Sequence, residues 1–368
     1  MNESVNLVRT ARVKSAASFV NAVLRRATRE PDYDPAASVN DEIEKLAIET
    51  SHPAWLIERW SAQFGEKEVT ALARADNESA PLAFRFTAKA LLKGREPAKI
   101  ISELRAAGAE LLESKIAPGA WRVSRRDTRS ESAGTDAGEP HAGMRALHSA
   151  LLRTLSEERL AYFQDEASQL VAHLLGAGAG DRVLDVCAAP GSKSTLIAAL
   201  APEAVLIAGD IYEHRVRTIS ELAKQQEATN IQIVVHDATQ TLPFTDGSFD
   251  QVLVDAPCSG TGTLRQNPEI RWRLQASDIA ELSVKQKRIL AKAAAMVRLG
   301  GLLLYSTCSV ETDENEAVVN DFLDQHPEFA KAKLEASTDL LTDSGAVRTW
   351  PHRHDADGFF VAAIRRKG

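Results

Sequence analysis

Hydrophobic side chains recur every three to four positions through the first part of the chain, residues 1–76. The spacing is clear from Val13 to Leu24 and again from Trp55 to Phe64. Such a period places apolar side chains on one face of a helix. Proline is tolerated in a first helical turn, so Pro53 suits the start of the later helix. The pattern predicts a helical region over residues 1–76.

A small α+β region is predicted next, over residues 77–144. Leu82–Phe86 alternates as a strand does, Pro97–Ala107 has helical spacing, and Ala120–Val123 fits a returning strand. Residues 124–143 are rich in Ser, Arg, Asp and Gly and hold almost no apolar side chain. Because they bury too little apolar surface to offset the entropy of ordering, we expect a mobile loop there.

From about residue 145 short apolar runs alternate with helical spacing. The predicted strands are Arg182–Cys187, Val205–Asp210, Ile231–His236, Gln251–Asp255, Leu302–Ser306 and Phe359–Ile364. The predicted helices between them are Lys193–Leu200, Glu213–Gln226 and Ser277–Val297. Strands rich in Val, Ile and Leu that alternate with helices indicate an α/β domain, here residues 145–368, with a mostly parallel sheet covered on both faces. Ligands of such sheets bind at the carboxyl ends of the strands.

The composition is that of an ordinary globular enzyme, with 44% hydrophobic and 26% charged residues among 368. No run of about 18 apolar residues occurs and the N-terminus has no pattern of a secretory signal, so we expect neither a membrane span nor export. Three scattered cysteines are too few for a disulfide framework, which favours a reducing cytoplasm.

The net charge of −7 argues mildly against a nucleic-acid partner, but the basic residues are clustered. Residues 1–30 carry six Lys and Arg against two acids. A second cluster comprises Arg265, Arg271, Arg273, Lys285, Lys287 and Arg288. Local basic stripes can bind phosphates. For either cluster alone, a solvated helix face is the simpler explanation.

A tight turn after the first strand of the α/β domain is suited to a cofactor. It reads Cys187-Ala188-Ala189-Pro190-Gly191-Ser192-Lys193 and opens a helix, where free N–H groups favour an anionic group. Asp210 ends the next strand, where nucleotide-binding sheets place an acid for ribose hydroxyls. Asp237 follows the third strand and could bind an adenine amino group.

Two cofactors compete for this turn. A nicotinamide dinucleotide needs Gly-x-Gly-x-x-Gly to hold its pyrophosphate, whereas this turn has the single Gly191. A ligand with adenine and ribose but no phosphate fits better, which favours S-adenosylmethionine. For Asp210 alone, a helix-capping role would explain the residue as well.

All three cysteines lie at the ends of apolar runs: Cys187, Cys258 in Asp-Ala-Pro-Cys-Ser-Gly, and Cys308 in Ser-Thr-Cys-Ser. One such cysteine is readily explained as a small buried apolar residue. Three together favour a chemical reason, because thiols are nucleophiles when ionised.

These motifs resemble those of the Sun-type RNA (cytosine-5) methyltransferases, in particular the RsmB-like ribosomal RNA enzymes. The resemblance is dense over residues 145–366 and rests on the runs at 185–194, 255–262 and 305–309 and on the closing Asp357-Gly-Phe-Phe. It implies a Rossmann-like class I S-adenosylmethionine-dependent methyltransferase domain with a seven-stranded sheet. Ser192 departs from the family, which usually has a second glycine there, and should be tolerated if its φ is negative.

The N-terminal part resembles the family more weakly. Phe19–Arg26 and His52–Arg59 are similar to the end of a NusB-like helical domain. Such a domain is usually longer than residues 1–76, so the resemblance implies a shortened domain or a start further upstream. It also implies that the small α+β region binds RNA.

The resemblance assigns roles to the site residues. Cys308 is expected to be the nucleophile that attacks carbon 6 of cytosine, and Cys258 to help the product leave. Asp255 would face the base edge and the cofactor, Lys193 would contact Asp255 or the base, and Cys187 would only pack in the cofactor turn. Arg265, Arg271 and Arg273 are the best candidates for phosphates, while His352 and His354 are too few for a metal site.

The expected activity is methylation of RNA cytosine at carbon 5, in small-subunit ribosomal RNA, by a monomer that needs neither metal nor membrane. A transfer RNA methyltransferase, a non-catalytic ribosome assembly factor of the same fold and a nicotinamide oxidoreductase stay open as alternatives. The intact Cys308, Cys258 and Asp255 favour an active enzyme.

Overall fold

The computed structural model describes residues 2–11, 14–29, 34–92, 96–106, 109–123, 155 and 157–368. The mobile loop predicted for residues 124–143 lies outside the described residues. The chain divides into two compact units, Met1–Trp60 and Ser61–Gly368. Within the described part, no helix combines the length and the apolar character that crossing a membrane requires.

The first unit is helical, as the spacing predicts. Its helices are α1 Asn2–Thr10, α2 Ala17–Arg29, α3 Glu42–Thr50 and the greater part of α4 Ala54–Phe64. Helix α3 begins where the Asp41 side chain accepts a hydrogen bond of 2.8 Å from the Glu44 N–H. This contact satisfies one of the backbone donors that every helix start leaves without a partner.

The second unit starts with an α+β layer built on a four-stranded antiparallel sheet of order β2-β3-β1-β4. Its elements are α5 Glu66–Ala75, β1 Leu82–Phe86, α6 Ala88–Leu92, α7 Pro97–Ala106, β2 Leu111–Glu113, β3 Ala120–Val123 and β4 Ala161–Phe163. Strand β4 lies beyond residue 144, where the sequence pattern changes, yet Phe163 pairs with Phe84 of β1. The small sheet therefore draws its last strand from the region predicted to be purely α/β.

The rest of the second unit surrounds an eight-stranded sheet. Its elements are α8 Glu166–Leu175, β5 Arg182–Asp185, α9 Ser192–Leu200, β6 Val205–Asp210, α10 Glu213–Gln225, β7 Ile231–Val235, β8 Phe249–Asp255, α11 Ile270–Arg273, α12 Ala276–Ala294, β9 Val297–Thr307, α13 Glu316–Gln325, β10 Phe329–Lys331, β11 Val347–Arg348, α14 Pro351–His354 and β12 Phe360–Arg366. Seven strands run in the order β10-β12-β9-β8-β5-β6-β7, and the two-residue β11 pairs with β12.

The sheet is mostly parallel and buried on both faces, which confirms the predicted fold class. Strands β5 to β9 pair in parallel, whereas β12 runs antiparallel to β9. Successive residues of one strand enter different cores: Val183 packs in one hydrophobic cluster and Leu184 in the other. This alternation explains why the strands are almost continuously apolar.

The chain order reverses beside β5, because β6 and β7 lie on one side of it and β8 and β9 on the other. Such a switch point opens a crevice at the carboxyl ends of the strands. The turn after β5 and the loops after β8 and β9 meet at this edge.

Most predicted ends of helices and strands differ from the observed ones by no more than two residues, and two were wrong by three or more. The long helix was predicted to reach Val297, but α12 ends at Ala294 and Val297 begins β9, opposite Phe249 of β8. Strand β9 was predicted to start at Leu302. It starts five residues earlier because Val297 already pairs with Phe249, before a register shift between Phe249 and Gln251 of β8.

Candidate active site

The turn after β5 closes on itself through its own backbone. The Gly191 N–H donates to the Ala188 carbonyl at 2.7 Å, and the Ala188 N–H donates to Gly209 at the end of β6. Gly191 has a φ of +104°, and a Cβ there would lie 3.3 Å from the Ile219 backbone, so only glycine fits without strain. Ser192 is the first residue of α9 and is not among the positive-φ residues, which confirms the expectation for this departure from the family pattern.

Two buried acids stand at the ends of neighbouring strands. Asp185 accepts a 2.7 Å hydrogen bond from the Ser194 hydroxyl, while its other oxygen has no partner among the described residues. Burial raises the pKa of Asp185 to about 7. Asp210 accepts from the Ala189 and Ile211 N–H groups at 3.3 and 2.9 Å. Both carboxylates retain lone pairs for further donors.

Asp237 lies just beyond β7 and shapes its own turn. It accepts hydrogen bonds from the Thr239 hydroxyl and N–H at 2.7 and 2.9 Å, and these bonds lower its pKa. The preceding residue, His236, was missed by the sequence reasoning. Its ring is buried, Nε2 lies 3.1 Å from the Val186 carbonyl, and Nδ1 has no partner within the described part of the chain. Burial lowers its pKa, so a neutral ring is favoured.

The two motif cysteines face each other. Cys258 follows β8, Cys308 follows β9, and their sulfur atoms are 3.3 Å apart. The loops are also held by Gly262, whose N–H donates to the Cys308 carbonyl at 3.0 Å. A Cβ at Gly262 would lie 1.9 Å from the Gly358 carbonyl oxygen, so the close approach of three backbone segments requires glycine.

The two thiols differ in acidity. The hydrogen bond with Cys258 lowers the pKa of Cys308, and Lys193 contributes in the same direction against the effect of burial. The same hydrogen bond raises the pKa of Cys258 well above its ordinary value. Of the two thiols, Cys308 is therefore the more readily ionised. Burial raises the pKa of Cys187, so this thiol stays protonated.

An ion pair lies beside the thiols. Lys193 Nζ is 2.8 Å from Asp255 Oδ2, and the Ser306 hydroxyl donates to Asp255 Oδ1 at 2.8 Å. Burial opposes the charge on Lys193, but Asp255, with smaller contributions from Cys308 and Asp185, outweighs it, and the pKa of the lysine is raised. The ammonium also lies 5.1 Å from the centre of the Phe359 ring, which adds a cation–π contact.

Arg85 of β1 is a second residue that the sequence reasoning missed. Its buried guanidinium donates to the Ser192 carbonyl and the Thr195 hydroxyl of α9, both at 2.9 Å. It also donates to the side chains of Gln164 and Gln226 at 2.7 and 3.2 Å. The small sheet thereby holds the helix that begins at the cofactor turn.

Two of the three arginines proposed for phosphates are not available, which corrects that prediction. The side chain of Arg265 is 2% exposed and Nη1 lies 2.8 Å from Asp355 Oδ1. Arg271 is buried and donates to the Asn77 side chain and the Asp76 carbonyl. Arg271 turns inward because the α11 segment packs against the loop after α5, and Arg265 because it pairs with Asp355. Arg273 remains exposed.

The histidines near the end of the chain have protein partners. His352 pairs with Glu68, and the His354 ring accepts from the Trp350 N–H at 2.8 Å. Over the described ranges, no group of three His, Cys, Asp or Glu side chains is arranged to hold a metal ion.

The chain matches two protein-family models. Residues 172–365 match the family described as 16S rRNA methyltransferase RsmB/F. Residues 52–127 match the ferredoxin-like domain of RsmF/B-like methyltransferases, the region of the small sheet.

Individual relatives agree with these matches. The Bacillus subtilis (strain 168) protein named "Probable ribosomal RNA small subunit methyltransferase B" is 32% identical over the whole chain and 78% of its own length. A ribosomal RNA small subunit methyltransferase B of Yersinia pseudotuberculosis is 37% identical over 55% of the chain and 46% of its own length.

Solved structures share the fold. The crystal structure of PH0851 superposes with a TM-score of 0.79 at 29% identity, over 98% of this chain and 75% of that one. NSun6 from Pyrococcus horikoshii, solved with SFG, has a TM-score of 0.70 over 84% of this chain and 97% of its own, at 21% identity.

Proposed function

Because the chain belongs to the RsmB/F family of 16S rRNA methyltransferases, we propose that it methylates carbon 5 of a cytosine in small-subunit ribosomal RNA through a covalent adduct on Cys308. The family is S-adenosylmethionine-dependent, and its members are RNA cytosine methyltransferases. The observation that carries the proposed mechanism is the pair of sulfur atoms 3.3 Å apart, beside the Lys193–Asp255 ion pair.

The chemistry of cytosine explains why a thiol is needed. Carbon 5 is a weak nucleophile until a group adds to carbon 6 and pushes electrons onto carbon 5. A thiolate can add there and later leave. Cys308 is the better candidate for this attack because its pKa is lowered, whereas that of Cys258 is raised.

The base has to be held while Cys308 adds to it. Asp255 stands at the end of β8 and is fixed by Lys193 and Ser306. We propose that its carboxylate accepts a hydrogen bond from the cytosine amino group or from a protonated N3. Protonation of N3, which the carboxylate stabilises, withdraws electrons from the ring and makes carbon 6 more electrophilic. The base must leave its stack to reach the thiols, which favours a single-stranded or looped RNA.

Product release needs a second group. When the proton on carbon 5 is removed, its bonding electrons restore the double bond between carbons 5 and 6 and expel Cys308 as a thiolate. We propose Cys258 as the residue that promotes this elimination, because its sulfur is next to the sulfur that must leave.

The residues after β5 and β6 suit S-adenosylmethionine. The turn from Cys187 to Lys193 would lie against its methionine part, with the acceptor left open on Asp185 for the amino group. Asp210 would accept from ribose hydroxyls, and Asp237 would face the adenine. Bound in this crevice, the cofactor supplies an electrophilic methyl group.

The test is methyl transfer by the purified chain from labelled S-adenosylmethionine to small-subunit ribosomal RNA, with transfer RNA as the alternative substrate. Cys308→Ala should lower the rate by on the order of 10⁴-fold or more and abolish the adduct with RNA that carries 5-fluorocytidine. Cys258→Ala should accumulate a protein–RNA adduct on normal RNA that survives denaturing electrophoresis.

Cys187→Ala is the matched thiol control and should still form the adduct with RNA that carries 5-fluorocytidine, since in this proposal Cys187 lies against the cofactor and does not attack the base. Normal turnover by the Cys308→Ala variant would refute the nucleophile. Methylation of transfer RNA alone would identify transfer RNA, and not ribosomal RNA, as the substrate. If neither RNA is methylated, a non-catalytic assembly factor is favoured.

A further inference from the structure

A buried carboxylate joins the two cysteine loops. Glu314 lies in the segment between β9 and α13, and no part of it is exposed. Its Oε1 accepts from the Ser259 N–H and from Gln286 Nε2, both at 2.9 Å. Its Oε2 accepts from the hydroxyls of Ser259 and Ser309. One side chain thus serves four donors.

The donors come from the residues next to the thiols. Ser259 directly follows Cys258, and Ser309 directly follows Cys308. Their hydroxyl oxygens are 3.1 Å apart and bind the same carboxylate oxygen. Any movement of one loop away from the other must break a bond to Glu314.

Glu314 is itself held from two further elements. Gln286 of α12 donates both to Glu314 and to the Pro257 carbonyl, each at 2.9 Å. The Tyr305 hydroxyl of β9 donates to the Glu314 main-chain carbonyl at 2.6 Å. The carboxylate therefore has little freedom to follow a loop that shifts.

We propose that Glu314 is a positioning residue, which holds the loops of Cys258 and Cys308 at the separation at which both thiols reach one cytosine. The catalytic part of this inference rests on the proposed function, because it assumes that both thiols act on a cytosine. It concerns a carboxylate that binds the residues next to the cysteines and acts on the thiols through them.

The consequence of removing the carboxylate follows from its partners. In Glu314→Ala, four buried donors lose a shared acceptor, and the loops have to separate until water or another group satisfies them. A displacement of about 1 Å between reacting groups can cost on the order of 100-fold in rate. We therefore expect kcat to fall by about that factor, with the KM for S-adenosylmethionine unchanged.

The charge of Glu314 has a separate effect. Lys193 favours the thiolate of Cys308, whereas Asp255 and Glu314 oppose it. Asp357 also faces Cys308, and Tyr305 faces Cys258. Glu314→Gln removes one negative charge but keeps the size of the side chain. Its amide oxygen can accept from Ser259 N–H and Gln286, and its amide N–H groups can donate to the two serine hydroxyls.

The first measurement is the rate of disulfide formation between Cys258 and Cys308, which depends on the distance between the two thiols. Diamide oxidises two adjacent thiols to a disulfide while its N=N bond takes up the two hydrogen atoms and becomes a hydrazine. Peptide mass spectrometry follows closure of the Cys258–Cys308 bond in the full chain without RNA or cofactor. Glu314→Ala should close this bond at least about tenfold more slowly than wild type, because the effective concentration of one thiol at the other falls.

The second measurement is alkylation of Cys308 by iodoacetamide as a function of pH. In Glu314→Gln the profile should move to lower pH and disulfide closure should stay near the wild-type rate. Glu166→Gln is the matched control, because Glu166 is also buried but pairs with Arg122. It should leave disulfide closure and the alkylation profile unchanged.

Wild-type closure and wild-type kcat in a folded Glu314→Ala would overturn the proposal. If that variant does not fold, Glu314→Asp decides: its carboxylate is one methylene shorter and cannot reach the donors of both loops at once, so disulfide closure at the wild-type rate would overturn the proposal. Neither thiol measurement needs a substrate. A wild-type chain without methyltransferase activity would therefore refute the proposed function and leave the thiol geometry testable.

Discussion

Two thiols that are joined by a hydrogen bond differ in acidity from two separate thiols. The hydrogen bond between Cys258 and Cys308 stabilises a thiolate on one of them and retains the proton on the other. The hydrogen bond itself is the main cause that lowers the pKa of Cys308, and Lys193 adds to it against burial, Asp255 and Glu314. Two identical residue types thereby acquire separate roles.

Replacement of Lys193 by methionine tests this assignment. Lys193 lowers the pKa of Cys308, so Lys193→Met should raise it and reduce the thiolate fraction at neutral pH. The profile of Cys308 alkylation against pH should move to higher pH. Lys287→Met, which loses only an exposed pair with Asp321, should not move it. An unchanged profile in Lys193→Met would show that the ammonium does not control the nucleophile.

Asp185 should make stability depend on pH. Its pKa is raised from an ordinary 3.8 to about 7, so the folded state binds more protons than the unfolded state between these values. The free energy of unfolding must then fall as pH rises through this window and level off above it. Asp185→Asn should lack this pH dependence. Its free energy of unfolding, relative to that of the wild type, should therefore increase as pH rises from about 4 to about 7.

Urea unfolding of both proteins at several pH values measures the difference. Asp343→Asn is the control, because Asp343 is exposed and should change little at any pH. A difference between wild type and Asp185→Asn that does not vary with pH would contradict the burial argument.

At the scale of elements, buried strands were the most predictable part of the molecule. Val205–Asp210 and Leu82–Phe86 have the predicted bounds, because a run of apolar residues between turn residues has few other solutions. Strand β4 has only three residues and no pattern of its own, so nothing in the sequence separates it from the following helix. Its place is set by pairing with β1.

Site residues divide in the same way. Cys258, Cys308, Asp255 and Lys193 come together as expected, because the ends of neighbouring parallel strands share one edge. Glu314, His236 and Arg85 were missed, and Arg265 and Arg271 were misassigned. The spacing of polar residues does not show whether a charged side chain turns inward to a partner distant in sequence.

Arg85 links strand β1 to helix α9, so its replacement should affect both the stability of the fold and the cofactor turn at the start of α9. Its guanidinium is buried and its pKa falls to about 9 through burial. Arg85→Gln leaves acceptors on α9, Gln164 and Gln226 without their donor. We expect a loss of roughly 2–4 kcal/mol in the free energy of unfolding and weaker binding of S-adenosylmethionine, because α9 begins at the cofactor turn.

Denaturant unfolding and calorimetric titration measure these two effects. Arg217→Gln, which loses an exposed pair within α10, is the control and should change neither. Weakened stability with unchanged cofactor affinity would mean that Arg85 only packs the small sheet.

At the scale of the whole molecule, the proposed chemistry is confined to one unit. Every residue assigned to the cofactor, to the base or to the thiol pair lies within Ser61–Gly368. In the first unit only residues 1–30 are basic, with six Lys and Arg against two acids, whereas residues 31–60 hold two against seven. Positive charge acts on RNA through its phosphates, independently of the sequence of bases.

Removal of residues 1–39 should therefore separate the two activities. The fragment 40–368 keeps Asp41 at the start of α3 and all site residues. Its affinity for S-adenosylmethionine should match that of the full chain. Its binding to small-subunit ribosomal RNA should become weaker and less dependent on salt. The slope of log K against log salt should decrease in magnitude by roughly 0.7–0.9 for each phosphate that the fragment no longer neutralises.

A full-length variant separates the effect of charge from that of deletion. Arg25, Arg26 and Arg29 are exposed on α2, so their combined replacement by glutamine removes charge and leaves the helix in place. If these arginines bind phosphates, this variant should reproduce part of the change in slope without affecting the cofactor. A fragment that binds RNA with the full-length slope would instead place the phosphate-binding residues within 40–368, where Arg273 is exposed beside the Cys258 loop.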